Sequence, residues 1–169
     1  WNQSELNRVQ KSVTHERQPF LGCSSNDSEG FIEALLQNIW NARLLGEVFQ
    51  SYSDDALLHC SRNQTLKGRE EIAASYAQII GTVTQLKFSH DYCCCIPNDN
   101  GGKDIAVRWT ITGNHGGAGL YGEPTGTPLL ILGESQFRII DGLIAEEWTI
   151  FDELSILVQI YRARLSSAE

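Results

Sequence analysis

The sequence predicts an α+β domain in which helices cover one face of a largely antiparallel sheet. Three observations carry this prediction. Helical spacing dominates the first half, long alternating strands fill residues 85 to 151, and an apolar helix closes the chain. Asp141-Gly142, set between two β-type runs, marks a tight hairpin, because a two-residue turn there needs φ > 0.

The elements follow in order. Residues 1–27 are polar, end in turn and cap residues, and are expected to form an extension with one short helix around residues 4–13. A single domain over residues 28–165 is expected to follow. Phe31, Ile32, Leu35, Leu36, Ile39 and Trp40 fall at i, i+3, i+4 intervals and predict a helix. Gly46, Val48 and Phe49 suggest a second, short one. ALLHCSRNQTLKG reads as a hairpin and REEIAASYAQIIG as a helix. QLKFSHDYCCCI and DIAVRWTITGNH are strands joined at NDNGG. After the Gly/Pro loop GGAGLYGEPTGT, the runs PLLILGESQFRII and LIAEEWTIF form the Asp-Gly hairpin. DELSILVQIYRARL is the last helix, with Asp152 placed to cap its N-terminus.

Composition narrows the partners. A chain of 169 residues suffices for one domain with a real core. Its net charge of −8 argues against a nucleic-acid backbone or an anionic membrane surface. No apolar run approaches the ~20 residues that cross a bilayer. Of the five cysteines, Cys93, Cys94 and Cys95 are consecutive and point to alternating faces, so no disulfide framework is expected. No Cys/His spacing suits zinc. Reduced thiols in a cytoplasmic protein are the expectation. The chain starts at Trp1 and has no methionine, which leaves upstream signals open.

Four segments in this order resemble the SnoaL-like polyketide cyclase group of the nuclear transport factor 2-like superfamily. They are IWNARLLGEVFQSYSDDALLHCSRNQTLKGREEI, VRWTITGNHGG, GEPTGTPL and FRIIDGLIAEEWTIFDELSILVQI, spanning roughly residues 30 to 160. The resemblance implies a cone-shaped α+β barrel, a strongly curved mixed or antiparallel sheet wrapped by N-terminal helices around an apolar pocket. It also implies a small hydrophobic ligand and a homodimer through the outer sheet face, with neither metal nor organic cofactor. The activity it implies is ring closure of a polyketide by intramolecular aldol condensation, a pocket carboxylate removing the activated proton.

Residue-by-residue matching puts the family's catalytic Asp position at Thr149, and a hydroxyl cannot serve as a general base near neutral pH. Ser135 stands where some cyclases place a pocket histidine. Strand alternation puts Ala145, Glu147, Thr149 and Phe151 on one side and Glu146, Trp148 and Ile150 on the other, if no bulge intervenes. Glu147 is therefore the first substitute acid: buried in an apolar cone, its pKa would rise toward proton-transfer range. The alternative for it is an ion-paired rim residue. Asp152 is a cap that could also reach a ligand at the mouth.

His115 ends the apolar row Val107, Trp109, Ile111 and is either a pocket acid–base group or a loop histidine bonded to backbone. His59 shares parity with Leu57 and is expected to line the pocket. His15 and His90 read as surface residues. Trp109, Ile111, Ile131, Ser135, Phe137, Thr149 and Phe151 are candidate ligand contacts, plain core being the alternative for the apolar ones. Glu134 and Arg138, off the apolar parity, are expected to pair on the outer face. The glycine-rich loop lacks a GK[ST] ending, which leaves a flap over the mouth rather than a phosphate loop. Three functions compete: a cofactor-free cyclase, isomerase or hydrolase using Glu147, Asp152 or a histidine; a non-catalytic small-molecule carrier; and a dimerising module.

Overall fold

The computed structural model describes residues 26–99 and 101–166. The expected extension over residues 1–27, with its short helix and His15, lies outside the described residues except at its very end, where the first helix begins. Helix α1 (Asn26–Trp40) and α2 (Gly46–Ser51) lead into strand β1 (Tyr52–Cys60) and the short β2 (Gln64–Lys67). Helix α3 (Arg69–Thr82) precedes β3 (Val83–Pro97), β4 (Lys103–His115), β5 (Pro128–Ile140) and β6 (Leu143–Phe151), and α4 (Glu153–Ser166) ends the domain.

The six strands form one open sheet in the order β2-β1-β6-β5-β4-β3. Every pairing is antiparallel except β1 with β6, so the sheet is mixed. The hairpin at Asp141-Gly142 forms as the sequence predicts, with φ of 51° and 81°, both left-handed. Register shifts interrupt β3 at Thr84/Lys87 and His90/Tyr92, β1 between Tyr52 and Leu57, and the β5–β6 ladder at Arg138/Ile139. Each such bulge bends and twists its strand. The bent sheet turns one face toward α1, which packs on β3 and β4, and toward α3, which packs on β1, β2 and β3.

The core lies between sheet and helices. Ile32, Leu36 and Ile39 of α1 and Ile72 of α3 meet Ile105, Val107, Ile111, Ile131 and Phe137 of the sheet, all buried. Two amide side chains complete the strands where the sheet runs out. Asn41, just after α1, bonds both the N–H and the C=O of Phe88 on edge strand β3, at 2.8 and 2.9 Å. Gln159 of α4 does the same for Leu130 of β5 beyond the end of β6, at 2.9 Å each way. Each stands in for a neighbouring strand's backbone, so the exposed ladder groups keep their partners.

The outer face of the sheet is polar at its centre. Arg138 bonds Asp104 of β4 and Glu146 of β6, rather than Glu134 of its own strand as the sequence suggested, and its guanidinium lies 5.0 Å from the Trp148 ring centroid. The partners are cross-strand neighbours in register, and side chains directly opposite approach more closely than those along one strand.

Candidate active site: a carboxylate at the floor of an aromatic cavity

A cavity of about 410 Å³ opens between the sheet and α3. This lies in the ~300–1,000 Å³ range of small-molecule sites. Trp40, Tyr76, Trp109, Tyr121 and Phe151 supply aromatic walls, and Leu58, Leu66 and Ile79 aliphatic ones. Glu147 and Thr149 of β6 form part of its lining. A wider groove of about 530 Å³ lies elsewhere, along the junction of β5 and α4.

Glu147 is 1% exposed, a carboxylate placed where water scarcely reaches. It is held there by hydroxyls from three elements. Tyr52 of β1 donates to Oε2 at 2.6 Å, Tyr76 of α3 lies 3.1 Å from both oxygens, and Thr149 donates to Oε1 at 2.6 Å. The two phenols also touch, 3.2 Å apart. Burial raises the Glu147 pKa above the usual carboxyl value, and the hydrogen bonds from Thr149, Tyr52 and Tyr76 hold part of that rise back. Both phenols are in turn pushed well above their usual value, by burial first and by the Glu147 charge second.

A second line of donors runs in from the sheet. The Trp109 indole N–H donates to Ser135 Oγ at 3.0 Å, and Ser135 and Thr149 hydroxyls are 2.6 Å apart. Indole nitrogen only donates and an ionised carboxylate only accepts. With Glu147 ionised, every hydrogen in the chain therefore has one direction: Trp109 to Ser135, Ser135 to Thr149, Thr149 to Glu147. Thr149, in the Asp position of the resemblance, thus presents its proton to a neighbouring acid. The Trp109 ring gains its place from Gly133, where any Cβ would stand 2.3 Å from ring carbons.

The cavity mouth joins three segments. Arg62, at φ 65° in the β1–β2 turn, makes a two-pronged ion pair with Glu153 at the start of α4. Tyr121 of the 116–127 loop donates to the same carboxylate at 3.3 Å. Hydrogen bonding and charge from Arg62 hold the Glu153 pKa below the usual carboxylate range, although its partial burial opposes this. Cys60 lines the wall beside Arg62, its thiol pKa raised by burial and by the nearby Glu147 charge.

Several candidates lie elsewhere. His59 is on the opposite face of the sheet, bonded to Thr65 and to Glu146 at 2.8 Å and stacked on Trp148. Tyr52, Ala56, Leu58 and Cys60 share the inward parity of β1, and Leu57 and His59 take the other face, so Leu58 and Cys60 line the cavity and His59 does not. His115 is fully buried under the glycine-rich loop: its Nδ1 lies 3.1 Å from Thr125 Oγ1, and its N–H and C=O bond the loop backbone. It borders neither the cavity nor the groove; burial, then the Arg164 charge, lowers its pKa.

Asp152 caps α4 by accepting from the Ser155 N–H at 2.9 Å and faces the β5–α4 groove, outside the cavity. Ile111 and Ile131 border a small void of about 10 Å³ beside the cavity, and Phe137 is wholly buried core. His90 is half-buried and pairs with Glu33 of α1 at 3.2 Å, not a plain surface residue. Tyr52 and Tyr76 were not legible as site residues. Tyr76 repeats Ile72 at i+4 on a helix and Tyr52 precedes the polar run Ser53-Asp54-Asp55, so no motif marks either one.

Among the described residues, no group of three or more His, Cys, Asp or Glu gathers to hold a metal ion, and no helix is long and apolar enough to cross a membrane.

Comparison with known proteins bears on the fold and the family. The sequence profile of the SnoaL-like polyketide cyclase family matches residues 32–160. No curated protein matches in sequence. Among solved structures, a candidate SnoaL-like polyketide cyclase from Jannaschia sp. CCS1 superposes with a TM-score of 0.67 at 16% identity, over 82% of this chain and 97% of that one. TsrD from Streptomyces laurentii gives 0.66 at 18% identity, over 80% and 96%. IdmH from Streptomyces antibioticus, a candidate polyketide cyclase, gives 0.63 at 19%, over 81% and 99%. At these identities the structures show a common fold, and the profile match supplies the family. The chain belongs to the SnoaL-like polyketide cyclase family.

Proposed function

We propose that this protein binds a small hydrophobic molecule in the 410 Å³ cavity and acts on it by cofactor-free acid–base chemistry, with Glu147 in the base role that Thr149 cannot fill. The observation that carries this reading is a carboxylate 1% exposed, bordering a cavity and with its pKa raised by burial. Ionised, Glu147 takes a proton from carbon next to a substrate carbonyl. The C–H electron pair becomes the enolate, whose oxygen carries the new charge. Glu147, now neutral, no longer holds the Tyr76 hydroxyl as strongly, which leaves that hydroxyl free to donate to the enolate oxygen. In ring closure the enolate carbon attacks a second carbonyl, a C–C bond forms, and the alkoxide recovers the proton from Glu147. Isomerisation uses the same first step and returns the proton to a different carbon.

The test uses β-tetralone, an aromatic ketone with acidic protons beside its carbonyl, and follows its proton–deuterium exchange in D2O by NMR. The wild-type chain should speed exchange over buffer, and Glu147→Gln should remove ~100-fold or more of that acceleration. Equal exchange with both proteins would reject the base role.

A second reading, a non-catalytic carrier or dimerising module, draws on Thr149 itself, since the family's Asp position holds no acid. A ligand co-purifying in native mass spectrometry, with no exchange activity, would favour it. We further propose a cytoplasmic homodimer through the outer sheet face. Leu132 and Ile150, diagonal neighbours on that face, are 43% and 66% exposed, and the four described cysteines are free thiols.

A further inference from the structure

The charges around the cavity do not balance. Three carboxylates border it, Glu71, Glu147 and Glu153, and Arg62 is the basic side chain among its described lining residues. Arg62 is committed to Glu153 by a two-pronged pair, so these two cancel. Glu71 accepts from the Lys67 backbone N–H at 2.8 Å, a partner that brings no opposite charge. Glu147 has hydroxyl partners and no ion pair among the described residues. Hydroxyl donors spread a buried charge but do not neutralise it, and an ion in a low-dielectric interior costs free energy until an opposite charge arrives.

The walls favour the same kind of visitor. Tyr76 meets Trp40 edge-on at 5.0 Å, and Trp109 lies 6.3 Å from Phe151, so ring follows ring along the lining. Aromatic π-systems attract organic cations, and they do so most when water is excluded. An anionic ligand would enter beside Glu147 and Glu71 and meet repulsion with no free cation among the described lining residues to offset it. A neutral one would leave Glu147 uncompensated.

We propose that the ligand of this cavity carries a protonated amine or quaternary ammonium group, held by Glu147 and the surrounding aromatic side chains. The inference deepens the reading of this cavity as the ligand site and is independent of whether Glu147 removes a proton. The two fit together chemically: a positive charge beside Glu147 keeps it ionised, and it acidifies C–H bonds next to the nitrogen.

The test pairs benzyltrimethylammonium with its uncharged isostere, neopentylbenzene, each titrated into the full chain by ligand-observed NMR. The cation should bind ~10-fold or more tightly than the isostere. Glu147→Gln should abolish that preference, the two probes then binding within about twofold of each other. A wild-type control covers the case of an unstable variant. Lowering the pH so that Glu147 takes a proton should weaken the cation and spare the isostere.

The other titratable groups around Glu147 are Tyr52 and Cys60 of β1 and Tyr76 of α3, with Glu71 of α3, Arg62 and Glu153 elsewhere on the cavity lining. The three facing groups stay neutral in the acidic range, and Glu153, held low by Arg62, keeps its charge until lower pH than Glu147. Equal affinities, a preference that survives Glu147→Gln, or no binding of either probe would each overturn the proposal. Cation preference without β-tetralone exchange keeps this inference and discards the base; exchange without the preference does the reverse.

Discussion

Glu147 ties the chemistry of this site to the stability of the fold. Its carboxyl is raised by burial, so the folded chain retains a proton at pH values where the unfolded chain has released one. Stability from this group is therefore fully present below the usual value near 4.5 and is lost as pH climbs through the raised folded value. Glu147→Gln, which cannot ionise, escapes that loss. The variant should gain on wild type as pH rises through this window, by ~1.4 kcal/mol for each unit of the rise. Urea denaturation across the acidic to neutral range measures it, and a pH-independent difference would show that Glu147 titrates normally. Thr149 could be recognised in the sequence as a departure from the family's acid. That its proton points at Glu147 could not, because the direction is imposed by Trp109 and Ser135 on two other strands.

Among the elements, β5 shows how one small residue sets the cavity wall. Gly133 is flat against the Trp109 ring, and an added methyl there would stand 2.3 to 2.8 Å from three carbons of that rigid ring. Gly133→Ala should cost ~1–3 kcal/mol and displace Trp109, shifting its fluorescence and weakening its bond to Ser135. A variant with unchanged melting temperature and emission would mean that the wall yields easily. Strand and helix positions were legible because periodicity and turn chemistry are local. ILGESQF alternates along β5, and Asp141-Gly142 fixes the turn after it. The face of each residue was less legible. His59 looked inward by counting from Leu57, yet Leu57 itself is only partly buried and it is Ala56 and Leu58 that face the core; three consecutive apolar residues leave the parity of β1 undecided in the sequence.

For the whole molecule, the open question is what covers the outer sheet face. Asp104, Arg138, Glu146 and His59 form a polar row around Trp148, with Leu132 and Ile150 exposed beside it. A polar centre flanked by exposed apolar residues suits a two-fold contact between copies. Sedimentation velocity should give a dimer for the wild-type chain and a monomer for the double variant Leu132→Glu, Ile150→Glu. A wild-type monomer would remove this assembly.

The sequence by itself determined the order of helices and strands, the Asp141-Gly142 turn, the Asp152 cap and the lack of an acid at position 149. Those features depend on neighbours a few residues apart, where spacing and turn preference act. The tertiary structure decided which side chains meet. Tyr52 reaches Glu147 across 95 residues of chain and Tyr76 across 71. Only the bending of the sheet and the seating of α3 bring those hydroxyls to a carboxylate that water cannot reach. Burial and partner together, not residue type, set what that carboxylate can do.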